Sequence, residues 1–337
     1  MSKWYTSCGN QSDTVISTRI RLARNIADMP FPSRMSAQQR KEVNLAVKEA
    51  IICDEDAAKR FKYIEMDTLP DITVMSMVER HIISPEFAKV RDNKALILSD
   101  DESVSIMLCE EDHLRIQVMR AGLSLDEAYA EADRIDDLLG EKLNYAFNKR
   151  LGYLTECPTN LGTGLRASLM LHLPALEMSG AVNRLASTVS KIGLTIRGTY
   201  GEGTKASASM YQLSNQVTLG ISEKAAIENL KSIALQIAAQ ERAAREELLK
   251  LTVTEDKIFR AYGTLKYARL IDTDELMDLL SLVRLGAVKG LINIETAKIE
   301  GMMINMQPAT ISLSVDRPLD RNGRDALRAQ RVREMLE

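Results

Sequence analysis

Residues 155–168, TECPTNLGTGLRAS, set a cysteine (Cys157), a proline-led turn, two glycines and an arginine (Arg166) side by side. Four other segments hold what that stretch lacks: STRIRLAR at 17–24, CEEDHLR at 109–115, RGTYGEG at 197–203 and RDALRA at 324–329. Arginine carries a planar fork of donors that matches phosphate oxygens, and it stays charged at any working pH. Arg19 and Arg21 stand two apart, so a strand would aim both at one face. Arg115, Arg166 and Arg197 come from three further segments. Any one of them alone is ordinarily a surface residue. Five converging would repel one another, and an arriving polyphosphate would relieve that repulsion. The chain has no Gly-Lys pair, HRD or DFG, hence neither a Walker-type phosphate loop nor a protein-kinase signature. If ATP binds, arginines must meet its charge.

Phosphoryl transfer asks for alignment and charge stabilisation, usually with Mg²⁺ bridging the phosphates. Such an ion is expected to be held mostly by ATP oxygens and water. Glu111 and Glu202 each sit in a loop beside one of these arginines. Paired carboxylates can act as bases or grip a cation, and a guanidinium acceptor needs both services. Its pKa exceeds ~12, so its nitrogen attacks poorly until a carboxylate orients it and removes a proton. In a turn, acidic residues are otherwise simply solvated. Cys157 could contact a non-reacting guanidinium nitrogen, or could itself be a covalent nucleophile, although no histidine lies close in sequence to activate it. In RDALRA, Arg324 and Arg328 on adjacent helical turns can clamp a phosphate while Asp325 pairs a guanidinium.

These groups need a frame. Val15, Ser17 and Arg19 alternate with Ile16, Thr18 and Ile20, as in a strand. SVSIML (103–108) and LRIQVM (114–119) alternate too, which predicts an antiparallel hairpin with an acidic connection. Ser36 is placed to cap a helix over 37–52, and Ser124 with Glu127 forms a capping-box pattern before a helix with one apolar face. HIISPEF (81–87) reads as a strand or loop ending at Pro85. LTIRGTYGEG (194–203) predicts a strand running into a glycine-rich loop, and 209–220 two short strands split by a Ser-Asn turn. A long helix is expected over 222–250. From about 254 helical patterns dominate, over 254–268, 273–285, 294–305 and 321–337.

Charged residues make up 27% and apolar residues 45% of 337, with a formal net charge of −3. That balance gives no bulk attraction to nucleic acid or anionic membrane. The start of the chain lacks the apolar core of a signal peptide, and no apolar run approaches the ~18 residues of a membrane span. A reducing, cytoplasmic setting is expected, with Cys8, Cys53, Cys109 and Cys157 as free thiols. Cys8 and Cys53 are expected to be small buried side chains. No Cys/His spacing fits a structural zinc site.

Taken together, STRIRLAR, EEDHLR, CPTNLGTGLRAS and RGTYGEG resemble the blocks of the phosphagen (ATP:guanido) kinases, in order, over about residues 12–250. The resemblance implies an α+β fold, an antiparallel sheet flanked by helices, for a catalytic domain over 1–252. It implies that Arg19, Arg21, Arg115, Arg166 and Arg197 bind ATP phosphates, with Ser17, Thr18, Ile20, Ala167, Ser168, Leu169, Met170, Gly198, Thr199, Tyr200 and Gly201 beside them, and His81 near the base. It makes Glu111 and Glu202 the catalytic carboxylates and Cys157 the substrate-contacting cysteine. The chain departs from the family pattern at Cys109, usually Asn, and at Met170, a histidine in the creatine and arginine kinases.

Within the family the chain looks most like the bacterial protein-arginine kinases. The arginine strand begins at residue 17, where small-molecule members carry a helical domain first. An all-helical domain is expected over 253–337. Its Arg324, Asp325, Arg328 and Ala329 match a motif that forms a phosphoarginine-binding regulatory pocket. The resemblance further implies ATP and Mg²⁺ as cofactors, proteins with accessible arginine as substrates, and a homodimer. It points to partnership with a Clp-type ATPase and protease, a heat-shock repressor and a small zinc-binding activator. A kinase of a free guanidino compound and a non-catalytic phosphoarginine reader are the alternatives.

Overall fold

A computed structural model describes residues 3–198, 207–315 and 318–337. Among the described residues ten strands alternate with helices: β1 Val15–Arg24, β2 Phe61–Glu65, β3 Ala95–Ser99, β4 Val104–Leu108, β5 Leu114–Ala121, β6 Phe147–Asn148, β7 Gly152–Tyr153, β8 Leu165–His172, β9 Leu194–Gly198 and β10 Met210–Asn215. Eight form one antiparallel sheet in the order β2-β3-β4-β5-β1-β8-β10-β9, and β6 and β7 make a separate hairpin. The fold is thus an antiparallel sheet flanked by helices.

Antiparallel strands sort side chains by parity. Ile20 and Leu22 of β1, Ile116 and Val118 of β5, Leu165, Ala167, Leu169 and Leu171 of β8, and Leu213 of β10 fill one face, all fully buried. Helices α1 (Ala37–Ile52), α2 (Leu125–Gly140) and α3 (Glu223–Leu248) contribute to the same core. In α2 the buried Leu125, Ala128, Ala132, Ile135 and Leu139 recur every three or four residues, as an amphipathic helix requires. The opposite face carries the arginines.

The C-terminal helices, α4 (Thr252–Tyr267), α5 (Thr273–Val288), α6 (Thr296–Asn305) and α7 (Arg321–Leu336), pack around a second apolar cluster. That cluster also takes in Ala208 and Met210, and Ile16 and Met170 rest against it. One end of the sheet's arginine face is therefore covered by the helical part. Glu79, ending helix Asp71–Glu79, accepts the backbone N–H groups of Ala309 and Thr310 at 2.8 and 2.7 Å.

Several local expectations change. Pro85 opens helix Pro85–Lys89 with Ser84 as cap, so 81–87 is no strand; proline is at home in a first helical turn. Ser36 and Gln39 close a full capping box, but Ser124 does not cap α2. Its hydroxyl donates to Ala121 O instead, and its N–H donates to Thr18 Oγ1. Residues 209–220 give one strand, β10, because Asn215 turns its amide onto Leu165 O and Val217 O. Cys8 and Cys53 are exposed, and Cys109 is the buried thiol. Cys109 sits at φ +60 with Sγ facing Asn44 Oδ1 at 3.6 Å, and burial pushes its thiol up to about 12.

The end of β1 is pinned by Arg24. Its Nε and Nη2 donate to Asp136 of α2 at 2.7–3.1 Å, and its guanidinium lies 3.5 Å from the Tyr153 ring centroid. Both partners are buried. Removing one member of such a pair strands the other charge. Asp136→Ala should lower the unfolding free energy by about 3–5 kcal/mol in denaturant titration; a loss below about 1 kcal/mol would show that Arg24 finds other partners.

Candidate active site

Register brings the arginines together. Arg21 lies directly opposite Arg166 across β1 and β8, and Arg19 opposite Ser168. Arg115 pairs with Ala23, two positions further along β1. Arg197 pairs with Gln212, itself opposite Met170. All five alternate with the buried apolar positions and so share the other face. Like charges placed opposite one another across strands destabilise a sheet. Burial and mutual repulsion together disfavour the charged forms. Burial, and then Arg115 and Arg166, lower Arg19 to about 10. Arg21 is pushed well below its ordinary value by burial and then by Arg19, Arg115 and Arg166. Arg166 is lowered by burial, Arg197 and Arg115.

Some of this charge is answered internally. Arg19 donates to Gln212 Oε1 at 2.7 Å and to Ser168 Oγ at 3.3 Å. Arg115 pairs with Glu110, which also accepts from Ser84. The Nε groups of Arg21 and Arg166 are buried with no acceptor among the described residues. Buried unpaired N–H groups are costly, and two on facing arginines fit a polyanion that supplies oxygens to both.

His81 stands at φ +61, and burial and then Arg19 lower its ring to about 4. It is neutral at neutral pH and adds no further cation. Alternation also corrects the candidate set. Thr18, Ile20, Ala167 and Leu169 are fully buried and lie on the opposite face from the arginines, so their side chains cannot line the site. Met170 shares the arginine face but packs against the helical part's apolar cluster. Ser17 lies opposite Met170, and Gly198 ends β9. Thr199, Tyr200, Gly201 and Glu202 lie outside the described residues.

Glu111 and Cys157 come from two loops. Glu111 follows Glu110 at the β4–β5 turn and is exposed, as are Pro158 and Thr159. Asn160 Nδ2 donates to Glu111 Oε1 at 3.1 Å, and Cys157 precedes the single 3₁₀ turn that holds Asn160. Cys157 Sγ sits 3.0 Å from Thr159 Oγ1. Desolvation, then Asp112, raises Glu111 above the ordinary carboxylate range, with Arg115 opposing. Beneath lies a fixed support. Buried Asp112 accepts from Asn25 Nδ2 at 2.6 Å and from the N–H of Glu156 at 2.9 Å. His113 Nδ1 accepts from Ile26 N, so Nε2 bears the proton and donates to Pro30 O at 2.8 Å.

In the helical part, Arg328 is buried and donates to Met306 O, Ile271 O and Asp325 at 2.6–2.9 Å. Arg324 is half-buried and donates to Leu319 O at 3.0 Å, and Ala329 is fully buried. Glu110, Gln212 and Asn160 were not singled out by sequence reasoning. Gln212 had no signal. Asn160 lies within the singled-out turn, and Glu110 stands five residues before Arg115 in a predicted hairpin, where they could pair.

The chain is similar to known proteins along its whole length. The family profile described as ATP:guanido phosphotransferase, C-terminal catalytic domain, matches residues 42–244. The profile of the protein-arginine kinase McsB C-terminal domain matches 252–337. A protein-arginine kinase of Caldanaerobacter subterraneus subsp. tengcongensis is 45% identical over 96% of this chain and 97% of its own. One from Desulforamulus reducens is 46% identical over 99% of this chain and 95% of its own. Among solved structures, lombricine kinase superposes with a TM-score of 0.62 at 25% identity, covering 72% of this chain and 71% of its own. The duplicated taurocyamine kinase of Schistosoma mansoni gives 0.62 at 25% identity, over 70% of this chain and 34% of that one.

If mutual repulsion is relieved by a polyanion, Arg166→Met should stabilise the ligand-free protein by about 0.5–1 kcal/mol. Tripolyphosphate at a hundred times its Kd should stabilise the parent by about 2.7 kcal/mol and the variant far less. Thermal melts with and without the anion measure both; a parent indifferent to tripolyphosphate would contradict the assignment.

Proposed function

The chain belongs to the ATP:guanido phosphotransferase family, among its protein-arginine kinases, and on that premise we propose that it moves the γ-phosphoryl group of ATP onto arginine side chains of proteins with the residues gathered on this sheet face. One observation carries the assignment of roles: two facing arginines, Arg21 and Arg166, hold buried Nε–H groups with no acceptor among the described residues, beside a carboxylate and a cysteine at the rim. Arg19, Arg21, Arg115, Arg166 and Arg197 bind the phosphates and spread the charge that builds on the transferred group.

The acceptor guanidinium enters at the exposed rim. Glu111, steadied by Asn160, takes a proton from the attacking nitrogen and pairs with the guanidinium plane. That nitrogen bonds to the γ-phosphorus as the bond to the β–γ bridging oxygen breaks, and ADP leaves. Glu202 is the second carboxylate by the resemblance already described. Cys157 contacts a non-reacting nitrogen. Among the described residues no three His, Cys, Asp or Glu side chains are grouped to hold a metal. Mg²⁺ would be held mostly by nucleotide oxygens and water, and would supply charge neutralisation.

In the helical part, Arg324 is the phosphate-facing member of a phosphoarginine pocket. Arg328 is committed to carbonyls and holds Asp325 in place. The wider setting follows the resemblance: a cytoplasmic homodimer that marks proteins, a heat-shock repressor among them, for a Clp-type protease, with a small zinc-binding activator. Among the described residues no helix is long and apolar enough to cross a membrane.

The test of the reaction is incubation with ATP, free arginine and a basic unfolded protein, with phosphoarginine read under conditions that spare the acid-labile N–P bond. Phosphate on protein arginine is expected; phosphate on free arginine alone would favour a small-molecule kinase. Glu111→Gln should cut kcat/KM by about 10²–10⁴. Because Glu111 titrates above the ordinary carboxylate range, activity should fall on acidification before a usual carboxylate would protonate. That acid limb should be absent from the residual activity of the glutamine variant, and an unchanged limb would assign the base elsewhere.

A further inference from the structure

The helical part meets the sheet through a buried polar node that the reaction above does not use. Arg284 of α5 is fully buried, and all five of its N–H donors are engaged. Nη1 donates to Asp13 O at 3.2 Å and to His172 Nδ1 at 3.0 Å. Nη2 donates to Ser12 O at 2.5 Å and to Glu300 Oε1 at 2.7 Å, and Nε to Glu300 Oε1 at 3.1 Å. Because His172 Nδ1 accepts, its proton sits on Nε2, which donates to Ser281 Oγ at 3.0 Å. Burial, then Arg284 and Arg245, hold this ring well below its ordinary pKa. Arg245 of α3 closes the node through Glu241, Asp13 and the His172 carbonyl.

The node grips two particular strands. Ser12 and Asp13 lead into β1, and His172 ends β8. Val15 pairs with Leu171, so both strands are held at the same end. Six residues further along, at ~20 Å, Arg21 faces Arg166. Between them Ile16 and Met170 rest on the helical cluster. Like charges at that spacing push β1 and β8 to slip or splay, and a guanidinium with no donor to spare resists both. We propose that Arg284 is a positioning residue for phosphoryl transfer: from the helical part it fixes β1 against β8, so that Arg19, Arg21 and Arg166 meet the ATP phosphates at a set spacing. This rests on the arginine face being the nucleotide site.

The experiment titrates ATP at saturating protein substrate with the full chain. Asn at 172 keeps an acceptor near the position of Nδ1; Gln reaches towards Ser281 and leaves Arg284 one acceptor short. His172→Gln should raise KM for ATP about tenfold, with a smaller change in kcat, and His172→Asn should stay within about twofold of the parent. Melting temperatures are measured alongside. Equal ATP KM in the parent and both variants, with loss of activity following only loss of folded protein, would overturn the proposal. If His172→Gln does not fold, Arg284→Met with Glu300→Gln removes the ion pair without stranding a charge. The same rise in KM is expected there, and an unchanged KM is equally fatal. A parent without ATP-dependent arginine phosphorylation would instead defeat the reading of the site itself.

Discussion

Mutual repulsion among guanidinium groups on one sheet face is the constraint the rest of the molecule is arranged around. Arg21 and Arg166 sit directly opposite on neighbouring strands; burial and then Arg19 and Arg115 lower the pKa of Arg21, and burial and then Arg197 and Arg115 that of Arg166. Left alone, such a face would pull its strands apart. The apolar side of the same strands opposes this. Ile20, Leu22, Leu165 and Leu169 are fully buried beneath them, and a one-residue slip would carry every one of those side chains to the wrong face. The hydrophobic core therefore fixes the register that holds the charges in an unfavourable arrangement.

The arginine face and the loops of Glu111 and Cys157 are built on different principles. Arg19, Arg21, Arg115 and Arg166 stand on interior strands, where position is set by the ladder and the core. Glu111 and Cys157 stand on loops, and loops need their own supports. Asp112, Asn25 and His113 form a buried hydrogen-bonded layer under Glu111 and the Cys157 turn, and every partner in it is a backbone group or a neighbour within the layer. Glu111 can remain exposed to an incoming arginine while its backbone stays still. A large acceptor such as a protein chain suits that openness, and the similarity to protein-arginine kinases along nearly the whole chain agrees with it.

Much of the candidate site's layout was legible in the sequence because its charged residues are concentrated in short segments. The arginines of 17–24 are placed as period-two alternation requires, and 109–113 is the acidic connection between β4 and β5. Alternation also shows what was over-read: a block match takes in every residue of STRIRLAR, but Thr18 and Ile20 point into the core. Other features needed tertiary contacts. The Ser124–Glu127 pattern resembles a cap, but Thr18 and the Ala121 carbonyl claim the serine first. Strand β8 was hidden because its alternation follows a glycine-rich turn. The Arg284 node joins residues separated by more than a hundred positions, and no local pattern announces it. Met170, which breaks the family pattern, has a packing explanation, since it rests against the helical part's apolar cluster.

The carboxylate of Glu79 takes the first free amides of helix Pro308–Ser312, a task usually done by a residue of the helix's own chain segment. Two backbone protons of the C-terminal half thus report on a side chain more than two hundred residues upstream. Their rate of exchange with deuterated solvent becomes a gauge of how often the halves part company, readable at single-residue resolution and with no ligand present.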